Sequence, residues 1–193
     1  MTITNGYATL AEMRARAGIT AALDTTDDAT IEAVVEAVSR AIDNYTRRTF
    51  YSRTETRYFD TPAGRELLLD DDLISITTLT NGDATVITSA DYQLLPLNST
   101  PKFSVRLKQS SAVSWQGDAD GNQEGVISIA GAWGYASTTP KPIHEACLIQ
   151  SMRIFKRKDS PFGIAGVVDG AAVSLKKGFD PDVEMMLLPY VRQ

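Results

Sequence analysis

The sequence predicts an α+β protein: a small helical bundle formed by both chain ends, an antiparallel β-rich insertion between them, and an extended C-terminal arm. Three observations predict it. Apolar residues recur at helical spacing over Ile31–Tyr45 and again over Ile143–Phe155. Between Tyr51 and Tyr135 the pattern changes to short runs rich in β-branched and aromatic residues, separated by turn-formers. No helical pattern interrupts those runs, so the strands read as antiparallel. After Phe155 the large anchors thin out into a small-residue run, "GIAGVVDGAAVSL". The expected boundaries are 1–50 and 140–193 for the helical part, with the arm from about 159, and 51–139 for the insertion.

The first helix is set by Thr9-Leu-Ala-Glu12, the pattern of a capping box, and Gly18 is placed to end it in a left-handed cap. The second follows Asp27-Asp28, with Ile31, Val34, Val35, Val38, Ile42 and Tyr45 three and four apart. Its other face pairs Glu36 with Arg40 and Asp43 with Arg47, acid four residues before base. Each such pair contributes only ~0.3 kcal/mol, so the apolar stripe must anchor the helix.

The strand candidates are "TRYF", "ELLL", "LISITTLT", "DYQLLP", "KFSVRLK" and "GVISIAGAWGY". Asn81-Gly82 is a two-residue hairpin signal. Phe103, Val105 and Leu107 alternate with Lys102, Ser104, Arg106 and Lys108, as on a strand with one wet face. At Pro140 the chain returns to helix, and Pro142 suits a first helical turn. Ile143, Ala146, Cys147, Leu148, Ile149, Met152, Ile154 and Phe155 surround most of that helix, which predicts a central position covered by neighbours. The expected core pairs the Ile31–Tyr45 stripe with Ile143, Cys147 and Phe155. The basic run Lys156, Arg157, Lys158 closes the helix, where its dipole favours cations. Asp180 and Pro181 open a last short helix.

Composition bounds the function. With 193 residues, 43% hydrophobic and 22% charged, the chain has an ordinary globular make-up. A formal net charge of −5 argues against general binding to nucleic acid or membrane surfaces. The single cysteine excludes an internal disulfide and fits a reducing compartment. No run approaches the ~18 apolar residues that span a bilayer. The opening "MTITNGYATL" lacks the features of a secretory signal, so a soluble protein made in a cytoplasm is expected.

The chemical motifs are sparse. In "GDADGNQEG", Asp118, Asp120 and Asn122 alternate like calcium ligands, but the sixth and twelfth loop positions are Gln123 and Ile129 rather than glycine and glutamate. An exposed loop that needs no metal is the expectation. His144 and Cys147 lie three apart on one helical face, yet no second His or Cys completes a metal site and no orienting partner supports catalysis. Cys147 reads as a core residue and His144 as solvent-facing. Asp70-Asp71-Asp72 reads as a loop capping two strands, and Trp115 and Trp133 as packing residues. There is no phosphate-binding glycine loop, no G-x-S-x-G and no H-E-x-x-H. No catalytic residue, metal or cofactor is expected, and no enzyme.

The order "LAEMRARAGI", "IEAVVEAVSRAIDNYTRRTF", "IAGAWGY", "PKPIHEACLIQSMRIFKRKDSPFG" resembles the head–tail adaptor (connector) proteins of tailed bacteriophages. In that family a short helix precedes a long one with an aromatic, basic tip, here "YTRRTFY". A β stretch then closes on a Gly-aromatic-Gly turn like Gly131-Ala-Trp-Gly134. The next helix begins at a proline, here Pro142, and ends in a basic run before a loose tail. The likeness covers the N-terminal third and the region from about Val126 onward; 61–125 is longer and richer in strands than in the smallest members.

The resemblance implies a virion protein of the phage neck, assembled in the bacterial host cytoplasm. Its place would be a dodecameric ring of copies of itself beneath the portal protein, extending the channel through which DNA passes without sequence-specific binding. It would dock the next neck or tail component, a stopper or tail completion protein. It implies that the C-terminal segment docks on the portal, through Lys156, Arg157, Lys158, Phe162, Val167, Val168, Val173, Leu175 and Phe179. A small-residue run with scattered valines suits strand addition to a partner. A β-rich binding or decoration module, and a small enzyme with an unrecognised site, are the other classes that the sequence leaves open.

Overall fold

The computed structural model describes residues 2–159, 164–168, 171–174 and 178–192. Over these residues it is α+β, with four α-helices, a five-stranded antiparallel sheet and a two-stranded antiparallel pair. The chain divides into two compact units, 1–47 with 139–193 and 48–138.

In the first unit, α1 (Leu10–Ala17) opens with the capping box: the Glu12 amide donates to Thr9 Oγ1 at 3.2 Å and the Thr9 amide to Glu12 Oε2 at 2.8 Å. Gly18 ends it at φ 76°, where a Cβ would be strained. α2 (Asp28–Thr46) buries Ile31, Val35, Val38 and Ile42, while Val34 and Tyr45 are half-buried. Arg47 leaves the helix in a left-handed conformation, φ 54°. That turn takes it off the expected pairing with Asp43, which instead holds Arg40 at 3.1 Å and accepts the Tyr7 hydroxyl.

α3 (Lys141–Phe155) packs against α1, α2 and α4 (Pro181–Leu187). Ile143, Ala146, Cys147, Leu148 and Phe155 are buried, and so are Gln150 and Ser151. Gln150 is satisfied in binding the chain that leads into α4: its Oε1 accepts the Asp180 amide at 3.1 Å. Asp180 in turn caps α4 by accepting the Asp182 amide at 3.1 Å. Phe179, grouped by sequence with the docking segment, stands edge-on to Tyr45 with ring centroids 5.3 Å apart.

The basic run continues α3 as a 3-10 turn, Lys156–Asp159. Beyond it, β6 (Ile164–Val168) and β7 (Ala171–Ser174) pair antiparallel, with Val168 opposite Ala171 and Val167 opposite Ala172. Within the segment expected to form the arm, the described residues pair with each other as two antiparallel strands. The two residues between the strands are Asp169-Gly170, a dipeptide that favours two-residue hairpin turns. They, Phe162 and Leu175 lie outside the described residues.

In the second unit the sheet order is β1-β5-β2-β4-β3. The strands are β1 (Arg53–Phe59), β2 (Glu66–Thr80), β3 (Tyr92–Leu95), β4 (Lys102–Leu107) and β5 (Ile127–Trp133). "ELLL" and "LISITTLT" are one strand, and Asp70–Asp72 lies inside it rather than in a loop. Arginines explain this: Arg48, Arg53 and Arg57 neutralise the acids. Register shifts break β2 between Leu68 and Leu73, Leu73 and Ser75, and Ile76 and Thr78. Such irregularities bend and twist a strand. β4 departs from clean alternation beside them: Ser104 is buried, donating to Glu66 Oε1 at 2.7 Å, and Phe103 is 49% exposed. The Asn81-Gly82 turn is longer than two residues, closing through Asn81 N–H to Thr85 O at 2.8 Å with Ala84 at φ 65°. The core gathers Leu67, Leu73, Leu79, Val105, Ile129 and Trp133 with their neighbours.

Candidate functional site

Folding separates the residues that suggested chemistry. Cys147 is fully buried; its thiol lies 3.5 Å from Ser39 Oγ and 3.8 Å from Ser151 Oγ, and burial pushes its pKa up. His144 points elsewhere and is half-buried rather than simply solvent-facing, with Nε2 3.0 Å from Glu12 Oε1. Thr9, through its hydroxyl and its amide, holds the Glu12 carboxyl below its usual range, and His144 adds to this. A thiol that is neutral and enclosed cannot serve as a nucleophile beside an imidazole engaged with a different partner.

The loop that suggested calcium is tied up internally. Asp118 Oδ1 accepts the amides of Asp120 and Asn122 at 3.0 and 2.8 Å, so this carboxylate holds the loop's shape. No group of three metal-ligating side chains occurs among the described residues. Both tryptophans pack: Trp115 and Trp133 are buried, donating to the carbonyls of Arg65 and Glu55, each at 3.2 Å. Arg57 lies over the Trp133 ring at 4.6 Å. The acidic run was legible as charge; its arginine partners were not.

What the chain presents instead is surface for contact. On α2 the exposed residues Ala29, Thr30, Ala33, Ala37, Ala41 and Asn44 form an uncharged outward face. A shallow groove of about 430 Å³ runs along its start, lined by Ala29, Thr30, Ala33, Val34, Ala37 and Ile154. Ordinary surface helices put charge on that face. In the same unit Met185 and Leu188 are 68% and 65% exposed. On the sheet unit, Tyr58, Leu68 and Phe103 stand out of the surface.

The basic run is held at the point where the hairpin segment departs. Lys158 Nζ reaches Asp27 Oδ2 at 2.5 Å and lies 4.5 Å from the centre of the Phe155 ring, while Lys156 is exposed. Of the residues assigned to docking, the structure thus gathers Lys158 onto the helical body. Val167, Val168 and Val173 lie on the hairpin strands and Phe179 against Tyr45.

No helix among the described residues is long and apolar enough to cross a membrane. No family model matches the chain, and no curated protein does. Solved structures do match. A chain of the neck of an empty gene transfer agent (GTA) particle, computed with C6 symmetry, superposes with a TM-score of 0.59 at 17% identity, covering 94% of this chain and 87% of that one. A chain of the neck of a native GTA particle, computed with C12 symmetry, gives 0.57 at 15% identity over 94% and 86%. A chain of the native GTA virion gives 0.56 at 17% identity over 95% and 88%. At such identities the likeness is one of fold, and it spans nearly the whole of each chain: this protein has the fold of chains found in the neck of a phage-like particle.

Proposed function

We propose that the protein is a structural component of the neck of a tailed phage or phage-like particle. Copies of the chain form a ring beneath the portal, extend the DNA channel and join the head to the next neck or tail component. The observation that carries this reading is the fold shared along 94% of the chain with a neck computed with C12 symmetry. The uncharged outer face of α2 supports it, because a helix face without charge suits burial against another protein surface. The overall negative charge is compatible with a channel wall along which DNA slides. Docking on the portal falls to the basic run and the β6–β7 hairpin, whose backbone offers strand edges for main-chain pairing.

Electron microscopy of the chain mixed with its portal tests the reading, with a twelve-fold ring on the portal as the expected image. The docking part needs a narrower cut than removal of everything after Asp159. Such a truncation would strip α4, whose Val183 and Leu187 are buried. Replacing 164–174 by a Gly-Ser linker spares α4, and is expected to leave a folded chain that no longer binds the portal. A chain that stays monomeric with the portal at high concentration, or a linker variant that binds as well as the parent, would count against ring or docking role respectively.

A further inference from the structure

The sheet unit carries a cleft of about 430 Å³ lined by Arg65, Gln93, Arg106, Leu107, Lys108 and Gln109. Three cations and two carboxamides line it, and no carboxylate does. Gln93 on β3, Arg106 on β4 and Glu66 on β2 form one row across three strands, by strand register. Arg106 is answered by Glu66 at 2.6 Å.

Among the described residues, no carboxylate answers Arg65. Its Nε donates to Leu107 O at 3.2 Å and its Nη2 to the carbonyls of Lys108 and Ser111, so backbone acceptors hold the guanidinium in place. Among the described residues its Nη1 has no partner. Lys108 Nζ is held likewise by Ala90 O at 2.7 Å. Asp91 stands near Lys108, but its carboxylate is taken up by Thr88 and Ser111, each at 2.7 Å. The result is a pair of fixed cationic groups in a concave site, arranged before any ligand arrives.

The chain also exposes the complement. Asp118 folds the 118–124 loop, and two further bonds fix it to the end of β1: Thr61 N–H to Gln123 O at 2.8 Å and Gly125 N–H to Asp60 Oδ1 at 2.7 Å. This rigid loop leaves Asp120 and Glu124 exposed, and neither carboxylate has a partner among the described residues. No ion pair joins them to Arg65 or Lys108 within the chain.

We infer that the cleft receives the 118–124 loop of a second copy, with Asp120 and Glu124 meeting Arg65 and Lys108. The inference rests on the ring reading and specifies one of its contacts. Two unlike, complementary patches on one chain make a heterologous contact, the kind that closes into rings. Charge complementarity sets register and partner choice in such a contact. Duplex DNA is the weaker occupant: the chain is net negative, and so few phosphate contacts, with Glu66 and Asp91 close behind, release few counterions.

The test uses the full chain, assembled at high concentration or on its portal, with isotopically light and heavy copies mixed. A zero-length carbodiimide cross-link between Lys108 and Asp120 or Glu124, carrying one light and one heavy peptide, is expected. Lys108→Glu and Glu124→Lys should each weaken self-association by about tenfold, and the two together should restore much of it. Glu124 lies on an exposed loop, so its variant stays informative if the Lys108 variant folds poorly. Rings that form without the mixed cross-link, and are indifferent to both reversals, overturn the contact and leave the ring intact. A chain that never assembles overturns both readings. Loss of duplex DNA binding in Lys108→Glu, with self-association unchanged, would reassign the cleft to nucleic acid.

Discussion

Arg48 grips Asp72 with a single nitrogen: Nη1 lies 2.7 Å from Oδ1 and 2.6 Å from Oδ2 of a carboxylate that is 1% exposed. The guanidinium also lies over the Tyr135 ring at 5.5 Å, and the Asp72 carbonyl accepts the Gly134 amide at 2.8 Å. The pair therefore ties the segment before β1, the middle of β2 and the end of β5 at one point. Removing Arg48 would leave the enclosed Asp72 carboxylate without its counter-charge.

Arg48→Ala should accordingly cost about 3–5 kcal/mol, measured by urea unfolding. The double change Arg48→Met with Asp72→Leu should cost clearly less, because neither charge is stranded. A loss below ~1 kcal/mol for Arg48→Ala would mean that the pair is surface-like in its energetics.

Thr9→Ala should destabilise the helical unit by ~1 kcal/mol, the usual cost of a lost N-cap. The loss should depend on pH. Glu12 is held below its ordinary carboxylate value, first by the Thr9 hydroxyl, so its contribution is present above that value. It disappears as pH falls through the folded pKa. Parent and variant should therefore converge in stability on acidification, and a gap that widens in acid would contradict the assignment.

The Cys147 thiol should react with a maleimide or disulfide reagent only as fast as the helical unit opens. Burial keeps it both inaccessible and protonated. Rates should rise in step with urea unfolding. Fast labelling of the native chain would show that α3 is not covered as described.

The β6–β7 amides should exchange quickly in the free chain, because a two-stranded hairpin alone is marginal in water. Their exchange should slow once the portal is bound. Equal protection in both states would argue that the hairpin is not the docking element.

The features legible in the sequence are those set by residues within a turn or two of each other. The α2 stripe, the Thr9–Glu12 box, the Gly18 cap and the Asp180 cap each depend on neighbours two to four positions away, and the structure shows each of them. The small residues from Gly163 to Leu175 are equally local, but they suggest a chain that needs a partner to gain structure, and such a run does not itself say which residues pair.

Other features depended on residues far along the chain. Asp70–Asp72 looks like a loop until Arg57, Arg53 and Arg48 arrive from 13, 18 and 24 positions away to neutralise it within a strand. Ser104 is buried and Phe103 exposed because irregular β2–β4 pairing upsets the two-residue alternation of a regular strand. Arg65 becomes part of a cleft only because carbonyls 42 and 46 residues on hold its side chain. Periodicity tells which face of an element is apolar, since that is written along the chain itself. Which charges meet is decided by chain packing alone, because Coulomb attraction acts through space and takes no account of separation in sequence.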